Sequence, residues 1–211
     1  MQNKKIAKQV LMVVIGQIIL GMGVSFILFA GLGIDAFGVF HAGVAKTFNI
    51  TFGLAMFFES LIALIAIYFI DKSYINFATL VSLFLVGFTA DYMMIFLEFI
   101  FSNNLDFIIR LILVFIGSGI LGIGLNIYVL ADLGVGALDA IAEMISAKTK
   151  YEYQVVKMAN DLFFLSIGWL LGGHVGIATI ITAVILGPII QFIRKRVSKP
   201  INTWLNEPAV N

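Results

Sequence analysis

The chain has no cysteine, which excludes disulfides, thiolate metal sites and cysteine nucleophiles. It has little charge: 13 Lys and Arg and 12 Asp and Glu make up 12% of its 211 residues, for a net charge of +1. A soluble domain carries about twice that fraction. Without a basic footprint the chain is not a nucleic-acid binder, and with so few polar residues it is neither disordered nor able to cover a water-soluble surface. Two histidines are too few for a His-based metal cage without carboxylates, and three prolines leave long stretches uninterrupted. No metal or cofactor is expected.

Apolar length is what the chain does have. Hydrophobic residues make up 61% of it, and the mean hydropathy is +1.08. A helix needs about 20 apolar residues to cross roughly 30 Å of hydrocarbon. Six segments meet that length: 6–30, 52–70, 75–100, 107–130, 154–171 and 175–193. Their unbroken apolarity is unlike the alternation of a β-barrel strand. The expected fold is therefore all-α, a polytopic membrane helix bundle forming a single membrane domain over 1–211. Two further segments, 33–49 and 134–150, are too short to span comfortably and read as re-entrant or interfacial helices; eight spans is the alternative. In the second of them Asp139, Glu143 and Ser146 recur at helical spacing opposite Leu138, Ile141 and Met144, an amphipathic pattern. Ser102-Asn103-Asn104-Leu105-Asp106 reads as a loop.

Lysines and arginines set the expected orientation. Lys4, Lys5 and Lys8 precede the first span, and Arg194, Lys195, Arg196 and Lys199 follow the last. Both termini are then cytoplasmic in a bacterial inner membrane, and the number of crossings is even. The basic start followed by an apolar stretch resembles a secretory leader, but the stretch exceeds the usual 7–15-residue core.

The chain also reads as two copies. Under a shift of 101, Gly16, Leu20-Gly21, Gly23, Leu32-Gly33 and Ala36 fall on Gly117, Leu121-Gly122, Gly124, Leu133-Gly134 and Ala137. Under a shift of 100, Ala78-Thr79 falls on Ala178-Thr179 and Gly87 on Gly187. Repeats over 6–100 and 107–198 follow, each a long span, a short element and two spans. The copy also marks the first apolar stretch as a span rather than a removable leader. Three spans per repeat is odd, so the halves insert in opposite orientations. Many secondary transporters share this plan, with discontinuous helices at a midplane site.

Candidate site residues follow from cost. An ionisable group at mid-bilayer costs about 2.5–3.5 kcal/mol on insertion scales and by default marks function. Glu59 and Asp161 each lie near the ninth residue of a span, with Asn160 beside the latter. Their bland reading is a protonated carboxyl bonded between helices. Asn126 is a further polar position within a span. Gly33 and Gly134 end the first span of each half as helix-break glycines. Asp35 and Asp139 sit in these breaks, either as N-caps or as site carboxylates. His41 is a weaker candidate for lining a cavity, and His174 reads as solvated. The glycines at 117–124 lack the strand and polar turn of a dinucleotide loop and read as close helix packing. No catalytic residues are assigned, and an enzyme is not expected: there is no His-Glu-x-x-His, and Gly31-Leu-Gly-Ile-Asp35 misses the Gly-x-Gly-Asp spacing by one residue.

The stretch Ser166-Ile-Gly-Trp-Leu-Leu-Gly-Gly-His-Val-Gly-Ile-Ala-Thr179, then Leu186-Gly-Pro-Ile-Ile-Gln191 and the Ala-x-Leu-Gly breaks at 30–33 and 131–134, resembles the YczE/YitT-type family of bacterial multi-pass membrane proteins. The resemblance implies a membrane protein of uncharacterised activity, described in the family as a candidate transporter. Two functional expectations stand: a secondary transporter of an unidentified small solute working by alternating access between inverted repeats, or a non-transporting scaffold or accessory subunit of a partner complex. Expected partners are the lipid bilayer, a small-molecule or ion substrate and, as an open alternative, a second copy in a homodimer.

Overall fold

The computed structural model describes residues 2–101 and 105–206; Ser102-Asn103-Asn104 of the expected loop lie outside them. Among the described residues there are eight α-helices and one 3-10 turn. In chain order they are α1 (Gln2–Ala30), α2 (Ala36–Phe48), α3 (Phe52–Asp71), α4 (Phe77–Ile100), α5 (Phe107–Leu130), α6 (Ala137–Lys148), α7 (Tyr153–Leu170) and α8 (Ile177–Asn206), with the 3-10 turn at Lys72–Tyr74. Polar caps start several of them: Thr51 Oγ1 accepts from the Leu54 amide at 3.2 Å, and the Asn76 amide donates to Thr79 Oγ1 at 3.3 Å. Glycines end them. Gly31 (φ 66°) and Gly33 (φ 97°) stop α1, and Asp132 (φ 56°) and Gly134 (φ 99°) stop α5. A left-handed residue closes the last carbonyls of a helix and turns the chain away.

α1 and α5 cross the centre antiparallel. A Cβ on Gly16 would stand 2.6 Å from Tyr128 N, and one on Gly117 would stand 2.8 Å from Gly23 O. Only glycine lets the two backbones come this close. Arg110 Nη1 donates to Ala30 O at 3.1 Å where α1 ends, and Gln9 Nε2 donates to Ala131 O at 2.8 Å where α5 ends.

The start of α1 and the end of α8 meet, since Lys8 Nζ donates to Trp204 O and lies 4.9 Å from the centre of its ring. At this terminal end of the bundle α6 finishes, with Lys148 Nζ 2.9 Å from Asp71 Oδ2. At the far end α2 finishes, with Lys46 Nζ donating to Gly172 O at 3.3 Å and Thr47 Oγ1 to Leu171 O at 3.0 Å. α7 therefore runs from the terminal end to the far end.

Among the described residues five helical stretches, those of α1, α3, α4, α5 and α8, are long and apolar enough to cross a membrane. α7, expected as a span, has 18 residues but is diluted by Lys157, Asn160 and Asp161. α7 nevertheless runs between the two ends of the bundle, while this span expected from the sequence is not among the helices apolar enough to cross. α2 and α6, at 13 and 12 residues, reach only about 20 Å each, short of the roughly 30 Å of hydrocarbon. α8 extends past the expected 193 to Asn206 and carries Pro188 and Pro200 within it. Large apolar side chains face outwards, Phe99 being 88% exposed. Such a surface is covered by lipid, not water. The core lies between α1 and α5, around Ile27, Val114 and Leu121.

Candidate functional site

A cavity of about 190 Å³ opens beside the α1–α5 crossing. Its walls come from α1, α3, α4 and α5, from the first two turns of α2 and from the first turn of α6. Those two short helices end at opposite ends of the bundle, so their N-termini converge on the cavity from opposite directions. Irregular backbone at membrane depth is tolerated where it lines such a space.

The breaks that aim these helices are tightly held. Leu32 O accepts from the Ala178 amide at 2.8 Å, and Leu133 O accepts from the Ala78 amide at 3.0 Å. Both helix-break glycines have φ near +100°, and Gly33 packs on Gly176 and Thr179 while Gly134 packs on Asn76. A Cβ at either position would be strained and would also collide.

Glu59 of α3 reaches the cavity and meets His41 of α2, with Nε2 to Oε2 at 3.2 Å. Ser60 Oγ also lies 3.3 Å from that oxygen. Both side chains are buried, Glu59 being 9% exposed, and its Oε1 has no hydrogen-bond partner in the protein. The His41 ring sits edge-on to Phe52 at 5.6 Å. Asp35 lines the cavity from the N-cap position of α2, where it makes no side-chain cap hydrogen bond. Asp139 also lines it, but from the first turn of α6; Gly136 takes the N-cap position there, so Asp139 is not the cap.

Asn160 and Asp161 are not among the lining residues. Lys157 Nζ stands 3.0 Å from Asp139 Oδ1 and 3.0 Å from Asp161 Oδ1, and lies over the Phe37 ring at 3.9 Å. Asp161 therefore joins the cavity only through the chain Asp139–Lys157–Asp161. Asn160 Nδ2 is buried without a partner. Asn126 acts between helices: its Nδ2 donates to Gly122 O at 2.8 Å and to Ile190 O of α8 at 3.0 Å. His174 is exposed.

Three participants were missed from sequence. Gln17 of α1 is 1% exposed, lines the cavity, and donates from Nε2 to Ala78 O at 3.0 Å. A lone amide within an apolar span was the available signal. Lys157 carried the i,i+4 spacing to Asp161 that pairs charges on a helix. Tyr128, from the end of α5, completes the wall.

Apolar helices around a largely apolar cavity that carries carboxylates define a polytopic helical membrane protein with an internal cavity. The family model described as "Family of unknown function (DUF6198)" matches residues 7–195, and the chain belongs to that family. It is 30% identical over 179 residues to "Uncharacterized membrane protein YczE" of Bacillus subtilis (strain 168), covering 84% of this chain and 81% of the relative. It is 27% identical over 178 residues to an "Uncharacterized protein" of Haemophilus influenzae (strain ATCC 51907 / DSM 11121 / KW20 / Rd), covering 82% and 78%. No solved structure matches the chain.

Proposed function

We propose that the protein is a secondary transporter of a small solute in the bacterial inner membrane, working by alternating access between two inverted repeats. The observation that carries this reading is the cavity, to which corresponding elements of both halves contribute carboxylates inside a membrane-embedded bundle. The contacts around it recur in pairs: Gly16 with Gly124 and Gly117 with Gly23, Leu32 with Ala178 and Leu133 with Ala78, each pair related by the sequence shift. A two-fold axis in the membrane plane offers two conformations of similar free energy, open to opposite sides.

One seam breaks the correspondence. α3 packs on α4 through Gly53 and Gly87, and the Gly53 amide donates to Asp91 Oδ1 at 2.9 Å. The corresponding Gly187 of α8 has nothing within 4 Å of an added Cβ. A bundle closed at one such seam and open at the other has the asymmetry of a single access state; exchange of the two seams is the alternating step. Both termini are assigned to the cytoplasm because Lys4, Lys5, Lys8, Lys72, Lys148 and Lys150 gather at their end, against Lys46 and Arg110 at the other. No enzymatic activity is assigned to the cavity.

The scaffold reading draws on α7, where Asp161 is 37% exposed and away from the cavity wall. The two readings separate in proteoliposomes incubated with a mixed small-solute extract and analysed for lumenal content. Transport predicts a solute accumulated above empty liposomes, with accumulation lost in Glu59→Gln. Equal contents in loaded and empty liposomes sink it.

A further inference from the structure

The walls of the cavity are short of donors. Gln17 spends its Nε2 on Ala78 O, which fixes the amide so that Oε1 is the free atom, and that oxygen has no partner. Glu59 spends Oε2 on His41 and Ser60, and its Oε1 has no partner either. A buried acceptor left without a donor bears its desolvation cost uncompensated. Both of these orphans are acceptors, both side chains are at least nine-tenths buried, and both line the same cavity.

Charge points the same way. Asp35 and Asp139 add carboxylates to the wall, and no lysine or arginine is among the lining residues. Lys157 reaches Asp139 from outside the lining set and is shared with Asp161. An anionic solute would meet three carboxylates, even though Lys157 is paired with Asp139 and His41 with Glu59. The rest of the wall is largely apolar, with Phe37, Phe52 and Met56; aromatic faces attract cations and hydrocarbon alike. At about 190 Å³ the space exceeds one small inorganic ion and lies below the few hundred to about 1,000 Å³ of drug-sized ligand sites, which limits the occupant to a small molecule. Among the described residues no group of three or more His, Asp and Glu is placed to hold a metal ion.

We infer that the cavity binds a small organic cation, an ammonium or amidinium whose N–H groups donate to Glu59 Oε1 and Gln17 Oε1 while its hydrocarbon part lies against Phe52 and Met56. This names the substrate class of the transport reading and rests on that reading only for the steps after binding.

The test uses the full chain in lipid nanodiscs and isothermal titration calorimetry with defined probes. Methylammonium, 2-phenylethylammonium and benzamidinium are compared with three analogues: the N,N,N-trimethyl derivative of 2-phenylethylammonium, 3-phenylpropionate and 2-phenylethanol. At least one N–H cation is expected to bind saturably, with the trimethyl ion, the anion and the alcohol each at least tenfold weaker. Glu59→Gln, which keeps the shape, is expected to weaken the best probe at least tenfold. The proposal is overturned if no N–H cation binds, if the anion or alcohol binds as tightly, or if Glu59→Gln, still folded by thermal unfolding, binds as the parent does. The probe series on the parent protein decides the matter even where the variant does not fold. Counterflow in proteoliposomes then separates the two claims. Saturable cation binding without counterflow removes the transport reading and leaves the ligand class, whereas counterflow of an anion removes the ligand class and leaves transport.

Discussion

His41 of α2 and Glu59 of α3 meet inside the bundle with 3.2 Å between Nε2 and Oε2. They join a short helix to a span across the cavity wall. Removing one member of a buried hydrogen-bonded pair costs about 1–3 kcal/mol, because the other is left unsatisfied. His41→Ala is expected to lower stability by about that amount. His41→Gln, which keeps a donor, should recover a large part of it. Thermal unfolding of the purified variants in detergent measures both, and equal losses for the two would show that ring packing on Phe52 matters and the hydrogen bond does not.

Lys157 is shared between Asp139 and Asp161 at 3.0 Å each. Lys157→Met strands two carboxylates at once, whereas Asp161→Asn removes one and leaves the Asp139 pair intact. The lysine variant is therefore expected to be the less stable of the two. Adding Asp139→Asn and Asp161→Asn to Lys157→Met should restore stability, a departure from additivity of about 0.5–3 kcal/mol. Additive losses in the triple variant would mean that the three side chains act independently.

Much of the architecture was legible in the chain, and for physical reasons. Apolar runs of span length have only one use in a bilayer, and glycines at the ends of α1 and α5 do adopt the left-handed conformation. The amphipathic 134–150 segment became the short helix α6. The site was less legible. Glu59 and Asp161 have the same signature, an acid near the ninth residue of a span, yet Glu59 lines the cavity and Asp161 does not. The difference is where each helix sits: α3 forms part of the wall, whereas α7 packs behind α2 and α6 and contributes no lining residue. α7 is held there by packing on α2, where Gly168 admits the backbone of Phe40, and by Phe164 meeting Phe40 edge-on at 4.9 Å. Such pairings join residues far apart in the chain and leave no local periodicity to read.

The two breaks give a sharper test of backbone control. Gly33 and Gly134 have φ of 97° and 99° and face Gly176 and Asn76 at close range. Alanine at either site combines a disfavoured conformation with a steric collision, so each substitution should cost more than the ~1 kcal/mol of a simple Gly→Ala strain. The neighbouring Asp132, at φ 56°, is a non-glycine residue in the same region. Asp132→Gly should leave stability level or raise it by a few tenths of a kcal/mol, since glycine adopts that conformation freely. Unfolding midpoints that rank Asp132→Gly below Gly134→Ala would contradict the assigned backbone.

Gly119 and Gly187 form a controlled pair for the alternating step. Neither has an atom within 4 Å of an added Cβ, so in the observed conformation each should accept leucine with little effect on stability. Their places differ. Gly187 corresponds to Gly87, which is packed against Gly53 in the closed α3–α4 seam, whereas Gly119 lies on α5 away from either seam. If the α7–α8 seam must close during the cycle, a leucine at 187 occupies the space that closure needs. Gly187→Leu is then expected to keep the parent's unfolding midpoint and its binding of the best cationic probe, while losing counterflow in proteoliposomes. Gly119→Leu should keep all three. Gly87→Leu, by contrast, should not fold, because the seam it enters is already filled. Normal counterflow by a folded Gly187→Leu would remove seam exchange from the mechanism even if the cavity still bound its cation.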